Sequence, residues 1–234
     1  MAGQLEAPGS SDGEDLYLAR GDEIEAFRPL FTGDVYLLQG APDRSDPTRV
    51  VVIHHPCALR TNGSALVPVV LCAEVAADRE FRPNDWLGNF KKMPLPNLPS
   101  MEGGASHSAV HFDKPRLLAP SELGIRLACL SLSGVNLLQQ RWVHFTSRVI
   151  VPTQSFAEVV SGPFEEADLT EDWCRTRVGP GITQTDATEE CLSWLRATPP
   201  GSTTMRQDLL ADSQKRSAIR REARNHLKSL YGET

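Results

Sequence analysis

The chain has 234 residues, 40 % hydrophobic and 23 % charged, with a formal net charge of −6. That length builds an ample core without disulfide staples, and the acidic balance excludes a protein that coats nucleic acid through its whole field. The five cysteines (Cys57, Cys72, Cys129, Cys174, Cys191) contain no CxxC pair, which argues against a disulfide framework or zinc ribbon.

Residues 1–22 are rich in Gly, Ser, Pro and acids without periodicity, and read as a disordered arm. They contain no apolar leader segment, and the longest apolar run, residues 65–73, is far short of the roughly 20 residues a spanning helix needs. A cytoplasmic protein with reduced thiols and no membrane contact is expected. The 19 arginines against five lysines are mostly dispersed, as codon usage in a GC-rich genome would leave them.

From residue 23 the text becomes strand-like. Residues 33–38 (GDVYLL) form a short β-rich run, a polar loop follows over 40–48, and residues 49–54 (RVVVIH) give the clearest strand, stopped by Pro56. Asn62-Gly63 supplies a turn, and residues 65–75 make a third strand in which Pro68 demands an edge or a bulge. The gaps between these runs are too short for crossover helices, so the strands should pair antiparallel as neighbours. Pro94, Pro96 and Pro99 forbid a helix over 81–106 and suggest an extended loop; residues 107–118 read as a strand with a bend.

The best helix spans 131–148, with Ser131 or Ser133 as its cap. Val135, Leu138, Trp142, Phe145 and Val149 recur at spacings of 3 and 4 and define a buried stripe. Beside it runs a second row, Leu137, Arg141, His144 and Arg148. Residues 151–234 read as a helical extension. Thr170 caps a short helix ended by Gly179-Pro180-Gly181, Asp186 caps another through Leu195, and the last runs from 204 to 231. The fold class is therefore α+β: a small, strongly bent antiparallel sheet or SH3-like barrel over 23–150, followed by helices.

No GxxxxGK[ST], GxGxxG, GxSxG or HExxH is present, which removes the commonest readings for nucleotide enzymes, hydrolases and zincins. The unusual local text is His54-His55-Pro56-Cys57 with Arg60 at the end of a strong strand. His55 and Cys57 share a facing there, and with His107 and His111 they form a candidate zinc set; a Cys–His nucleophile pair is the other chemical option.

The run Gly33-Asp34-Val35-Tyr36, a polar loop and then Arg49 to Ile53 resembles the opening of the MazF/PemK-like toxins, small SH3-like barrels that cleave RNA. The resemblance covers about 45 residues. It implies a nucleic-acid-facing groove and places Arg49 at the family's catalytic arginine. Val50 stands where the family has Pro, and Glu74 where it has Thr or Ser; a carboxylate there repels the phosphate it should face. The His55-Pro-Cys57 segment and residues 126–148 are similar in pattern to uncharacterised barrel-like proteins of bacterial mobile elements and defence loci.

Three functions follow. The first is a non-catalytic interaction module, contacting RNA or DNA through Arg60, Arg141, His144 and Arg148 and a protein partner through the helix at 204–231. The second is a MazF-like endoribonuclease, with Arg49, His55 and Arg141 as its candidates for binding and proton transfer. The third is a metal- or thiol-dependent protein centred on Cys57. None of these readings calls for a cofactor.

Overall fold

A computed structural model describes residues 4–10, 12–39, 48–61, 65–82, 84–88, 90–99 and 105–232. The strands are β1 (Tyr17–Arg20), β2 (Asp34–Leu38), β3 (Arg49–Val52), β4 (Arg60–Thr61), β5 (Ala65–Leu66), β6 (Val70–Ala77), β7 (Lys92–Pro99), β8 (Ala105–Leu118) and β9 (Leu123–Leu130). The helices are α1 (Asp85–Gly88), α2 (Leu132–Ser147), α3 (Thr153–Arg177), α4 (Gln184–Arg196), α5 (Arg206–Ala211) and α6 (Arg216–Gly232). The chain divides into two compact units: Met1–Ile24 with Leu30–Val160, and Glu25–Pro29 with Ser161–Thr234.

In the first unit the described strands form a seven-stranded sheet in the order β1-β9-β2-β3-β6-β8-β7, every pairing antiparallel. β2, β3 and β6 are neighbours, as the short gaps require: Tyr36 lies opposite Val50, and Val50 opposite Glu74. One core gathers Tyr36, Val50, Val52, Leu59, Val70, Cys72 and Leu118. The third strand does not run unbroken from residue 65. Around Pro68, which cannot donate to a ladder, it divides into β5, paired with β4, and β6. The Asn62-Gly63 turn and most of the 40–48 loop lie outside the described residues.

The segment 81–106 departs from the expected loop. It carries the short α1 and then β7, an edge strand paired with β8. An edge position tolerates Pro94, Pro96 and Pro99 because one side of the strand needs no ladder partner. The sheet is bent until its two edges meet. Tyr17 Oη donates to the Pro96 carbonyl at 2.8 Å, and Arg20 Nη1 donates to the Asn97 carbonyl at 3.2 Å. Proline nitrogens carry no hydrogen, so side chains of β1 complete a seam that a backbone ladder cannot, and the barrel is nearly closed. β8 bends at a register shift between its pairings His111↔Glu74 and Pro115↔Ala73.

The N-terminal segment is not a disordered arm where it is described. β1 pairs with β9, and Leu5 and Leu16 are buried. Ser131 caps α2 by accepting from the Gly134 N–H, and its own N–H donates to the Leu16 carbonyl. Gly134 is required at this crossing, since a Cβ would stand 2.3 Å from that carbonyl oxygen. The apolar stripe of α2 holds in its first half: Val135 and Leu138 are fully buried, while Trp142 and Phe145 are half-buried around Phe112. Val149 is exposed, because the helix stops at Arg148, whose φ of 61° ends the 3.6-residue periodicity.

In the second unit, Leu169, Trp173, Cys191, Leu195, Leu210, Ile219, Ala223 and Leu227 form the core. α3 is a single helix of 25 residues with Pro163 inside it, so Thr170 caps nothing. Its hydroxyl donates back to the Glu166 carbonyl at 2.8 Å. α4 is capped by Thr183, with Asp186 closing the box from the third helical position. The region read as one terminal helix is two, α5 and α6, and the contact boundary between units falls inside α3 rather than at residue 151.

Candidate functional site

The proposed catalytic set follows from the course of β3. Arg49 opens the strand opposite Val75, and its Nη1 lies 3.3 Å from Ser108 Oγ; Ser108 sits opposite Ala77. Beyond the strand's other end, the Ile53 and His54 N–H groups both donate to the Leu71 carbonyl. Leu71 and Ala77 are six residues apart on β6, about 20 Å at the rise of an extended chain. Arg49 and the His55–Cys57 segment therefore stand at opposite ends of the barrel wall, and no single scissile bond reaches both.

At its own end the His54–Cys57 segment is folded into a tight turn. His55 Nδ1 accepts from the Cys57 N–H and His54 Nδ1 accepts from the Leu71 N–H, both at 3.3 Å. Thr32 Oγ1 donates to the His54 carbonyl. Burial lowers the pKa of both histidines, and His54 lowers that of His55 further, so both rings are neutral at pH 7 with the proton on Nε2. A His55 ring already accepting from its own turn holds that turn in place. Cys57 is exposed, and its thiol points at the Val159 carbonyl at 3.9 Å.

The zinc set is not assembled. The Asp78 N–H donates to the His107 carbonyl, which puts His107 seven residues along β6 from Leu71, about 23 Å away. No group of three or more His, Cys, Asp or Glu side chains able to hold a metal ion occurs among the described residues. Glu74, opposite His111, is engaged by Arg116 at 3.0 Å and Lys114 at 3.1 Å. Burial alone would raise its pKa, but those two cations hold it below the ordinary carboxylate range.

The basic row of α2 splits. Arg141 is fully buried, lies 5.0 Å over the Trp86 ring and donates to the carbonyls of Glu6 and Trp86 at 2.8 and 2.7 Å. It is a core group and is not available to phosphate. His144 and Arg148 meet at another ring, Phe90: the His144 imidazole approaches edge-on at 6.3 Å, and the Arg148 guanidinium lies 4.3 Å over it. Trp142 and Phe145 stack in the same turns, 6.0 Å apart with 22° between their planes. Arg60 opens β4, opposite Leu66 of β5.

The terminal helix does not offer a free apolar face. Ile219, Ala223 and Leu227 are spent in the core of the second unit. Arg216 and Arg220 pair with Glu165, and Arg206 of α5 pairs with Glu222. The exposed residues of α6 include Arg221, Arg224 and Lys228. Neither Phe90 nor Ser108 was singled out from the sequence; only a contact across the fold gives either residue a partner.

No family model matches the chain, and no curated protein matches it. Among solved structures it is similar to an endoribonuclease in complex with its cognate antitoxin from mycobacterial species. That similarity has 14 % identity and a TM-score of 0.36, over 53 % of this chain and 100 % of the other. A likeness of that degree carries no argument about activity. No described helix is long and apolar enough to cross a membrane.

Proposed function

We propose that the chain is a non-catalytic interaction module, built on a nearly closed β-barrel, that contacts single-stranded nucleic acid at the end of α2. The carrying observation is the Phe90 cluster: Arg148 over the ring, His144 at its edge, and the half-buried Trp142 and Phe145 in the same helical turns. Aromatic faces and cations on one surface are what single strands use, bases stacking on rings while phosphates meet the charges. The separation of Arg49 from His55 and Cys57 supports the non-catalytic part. The test is binding of a fluorescent single-stranded RNA by the wild type and by a Lys91→Ala/Arg148→Ala variant, both residues being exposed. Loss of two phosphate contacts lowers the log–log salt slope by about 1.4. Equal slopes and affinities would sink the reading.

A ribonuclease reading has one observation of its own, the guanidinium of Arg49 beside the Ser108 hydroxyl. It requires RNA fragments in the same incubation, abolished by Arg49→Ala. Intact RNA leaves the binding module alone.

A further inference from the structure

The cations of α5, α6 and the turn between them divide into two sets. Arg206 is held by Glu222, Lys215 by Asp212, Arg216 by Glu165, and Arg220 by Glu165 and Asp168. Arg221, Arg224 and Lys228 are exposed and form no ion pair among the described residues. Their placement follows from the helical pitch. Ile219, Ala223 and Leu227 are spent in the core. At about 100° per residue, Arg221, Arg224 and Lys228 point within about 60° of one another on the opposite side, over about 10 Å of helix axis. Glu222, the one acid in the sequence of α6, is turned toward Arg206 and does not neutralise the row.

The residues beside that row say what it fits. Ser217, Ala218, Asn225 and Ser229 are its exposed neighbours, and no large hydrophobic side chain of α6 is exposed among the described residues. A membrane surface is held by apolar side chains as well as charges, and the centre of a protein interface by rings and aliphatic anchors; this face supplies neither. It also offers no ring for an unpaired base to stack on. What it satisfies is a row of phosphates, and a double helix presents these most densely, one negative charge for about every 1.7 Å of axis.

We propose that α6 is a second nucleic-acid contact, in which Arg221, Arg224 and Lys228 lie against the phosphate backbone of a duplex. Contacts to phosphate carry no base identity, so binding is independent of sequence. Neutralising three phosphates of a duplex gives a log–log salt slope of about −2.7.

The experiment is fluorescence anisotropy of a labelled duplex of about 20 base pairs, long enough to present three successive phosphates. It is titrated with the full chain carrying Lys91→Ala and Arg148→Ala, so that the outcome does not depend on the single-strand reading at the end of α2. Binding at low salt with a slope of about −2.7 is expected, lost when Arg221→Gln, Arg224→Gln and Lys228→Gln are added and kept with Arg221→Lys and Arg224→Lys. The glutamines touch no ion pair or core residue of α6, and circular dichroism checks the fold. If the triple variant does not fold, Arg224→Gln alone decides, with an expected loss of about 0.9 from the slope. Four results would each overturn the assignment: no duplex binding at low salt, a slope that the glutamines leave unchanged, glutamines that weaken a single strand more than the duplex, or equal competition by polyglutamate or anionic vesicles.

Discussion

Arg141 and Trp86 hold each other inside the first unit: the guanidinium lies over the indole and donates to the same residue's carbonyl oxygen at 2.7 Å. One side chain thereby ties α2 to α1, and a second bond, to the Glu6 carbonyl, fastens the N-terminal segment to the same point. Arg141→Met should keep most of the volume and strand the buried Trp86 carbonyl, at a cost of about 1–3 kcal/mol, with a smaller loss at the part-buried Glu6 carbonyl. Urea denaturation should show that loss, while RNA affinity measured where the variant is folded should not change. A fall in affinity without a fall in stability would return Arg141 to the binding surface.

A second interior charge lies on the barrel. Asp34, at 1 % exposure, accepts from the Phe31 N–H at 2.9 Å and pairs with Arg126 at 3.4 Å; Arg126 Nε also donates to Tyr36 Oη at 2.7 Å. Removing one partner of a buried pair leaves the other uncompensated. Asp34→Ala and Arg126→Ala should each cost about 3–5 kcal/mol, and the double variant less than their sum. Thermal unfolding of the four proteins measures the coupling, and strict additivity would show that the two groups act separately.

Glu74 gives a pH signature. Its folded pKa lies below the unfolded value, so its contribution is fully present above the ordinary carboxylate range and is lost as pH falls through the lower folded pKa. The stability gap between the wild type and Glu74→Gln should therefore be constant from pH 6 to 8 and should close on acidification below about pH 4. A gap that does not narrow at all as the pH falls from 6 to 3 would mean that the substitution acts through packing rather than charge.

Of the five cysteines only Cys57 is exposed; Cys72, Cys129, Cys174 and Cys191 are buried. Burial also raises the thiol pKa of Cys72 and of Cys191 to about 12, well away from the reactive thiolate. A thiol reagent should therefore modify one group rapidly in the native protein and five in denaturant, and Cys57→Ser should abolish the rapid phase. Two rapid thiols would contradict the burial.

The sequence by itself determined the pairing of β2, β3 and β6, because short gaps between β-branched runs leave only antiparallel neighbours. It also determined α2, whose cap and apolar spacing are local signals. Tertiary structure alone decided the rest. β1 has four residues and no periodicity, and is a strand because β9 is there to pair with it. β7 carries three prolines and is a strand because an edge accepts them. The row Arg141, His144, Arg148 looks uniform on a helical wheel, but Trp86 and Phe90 divide it into a core arginine and a surface pair. Arg49 and His55 look like neighbours at six residues apart, and an extended strand holds them at opposite ends. Periodicity reports which face a residue takes; whether that face meets a ring, a carbonyl or water depends on chain far away in the sequence.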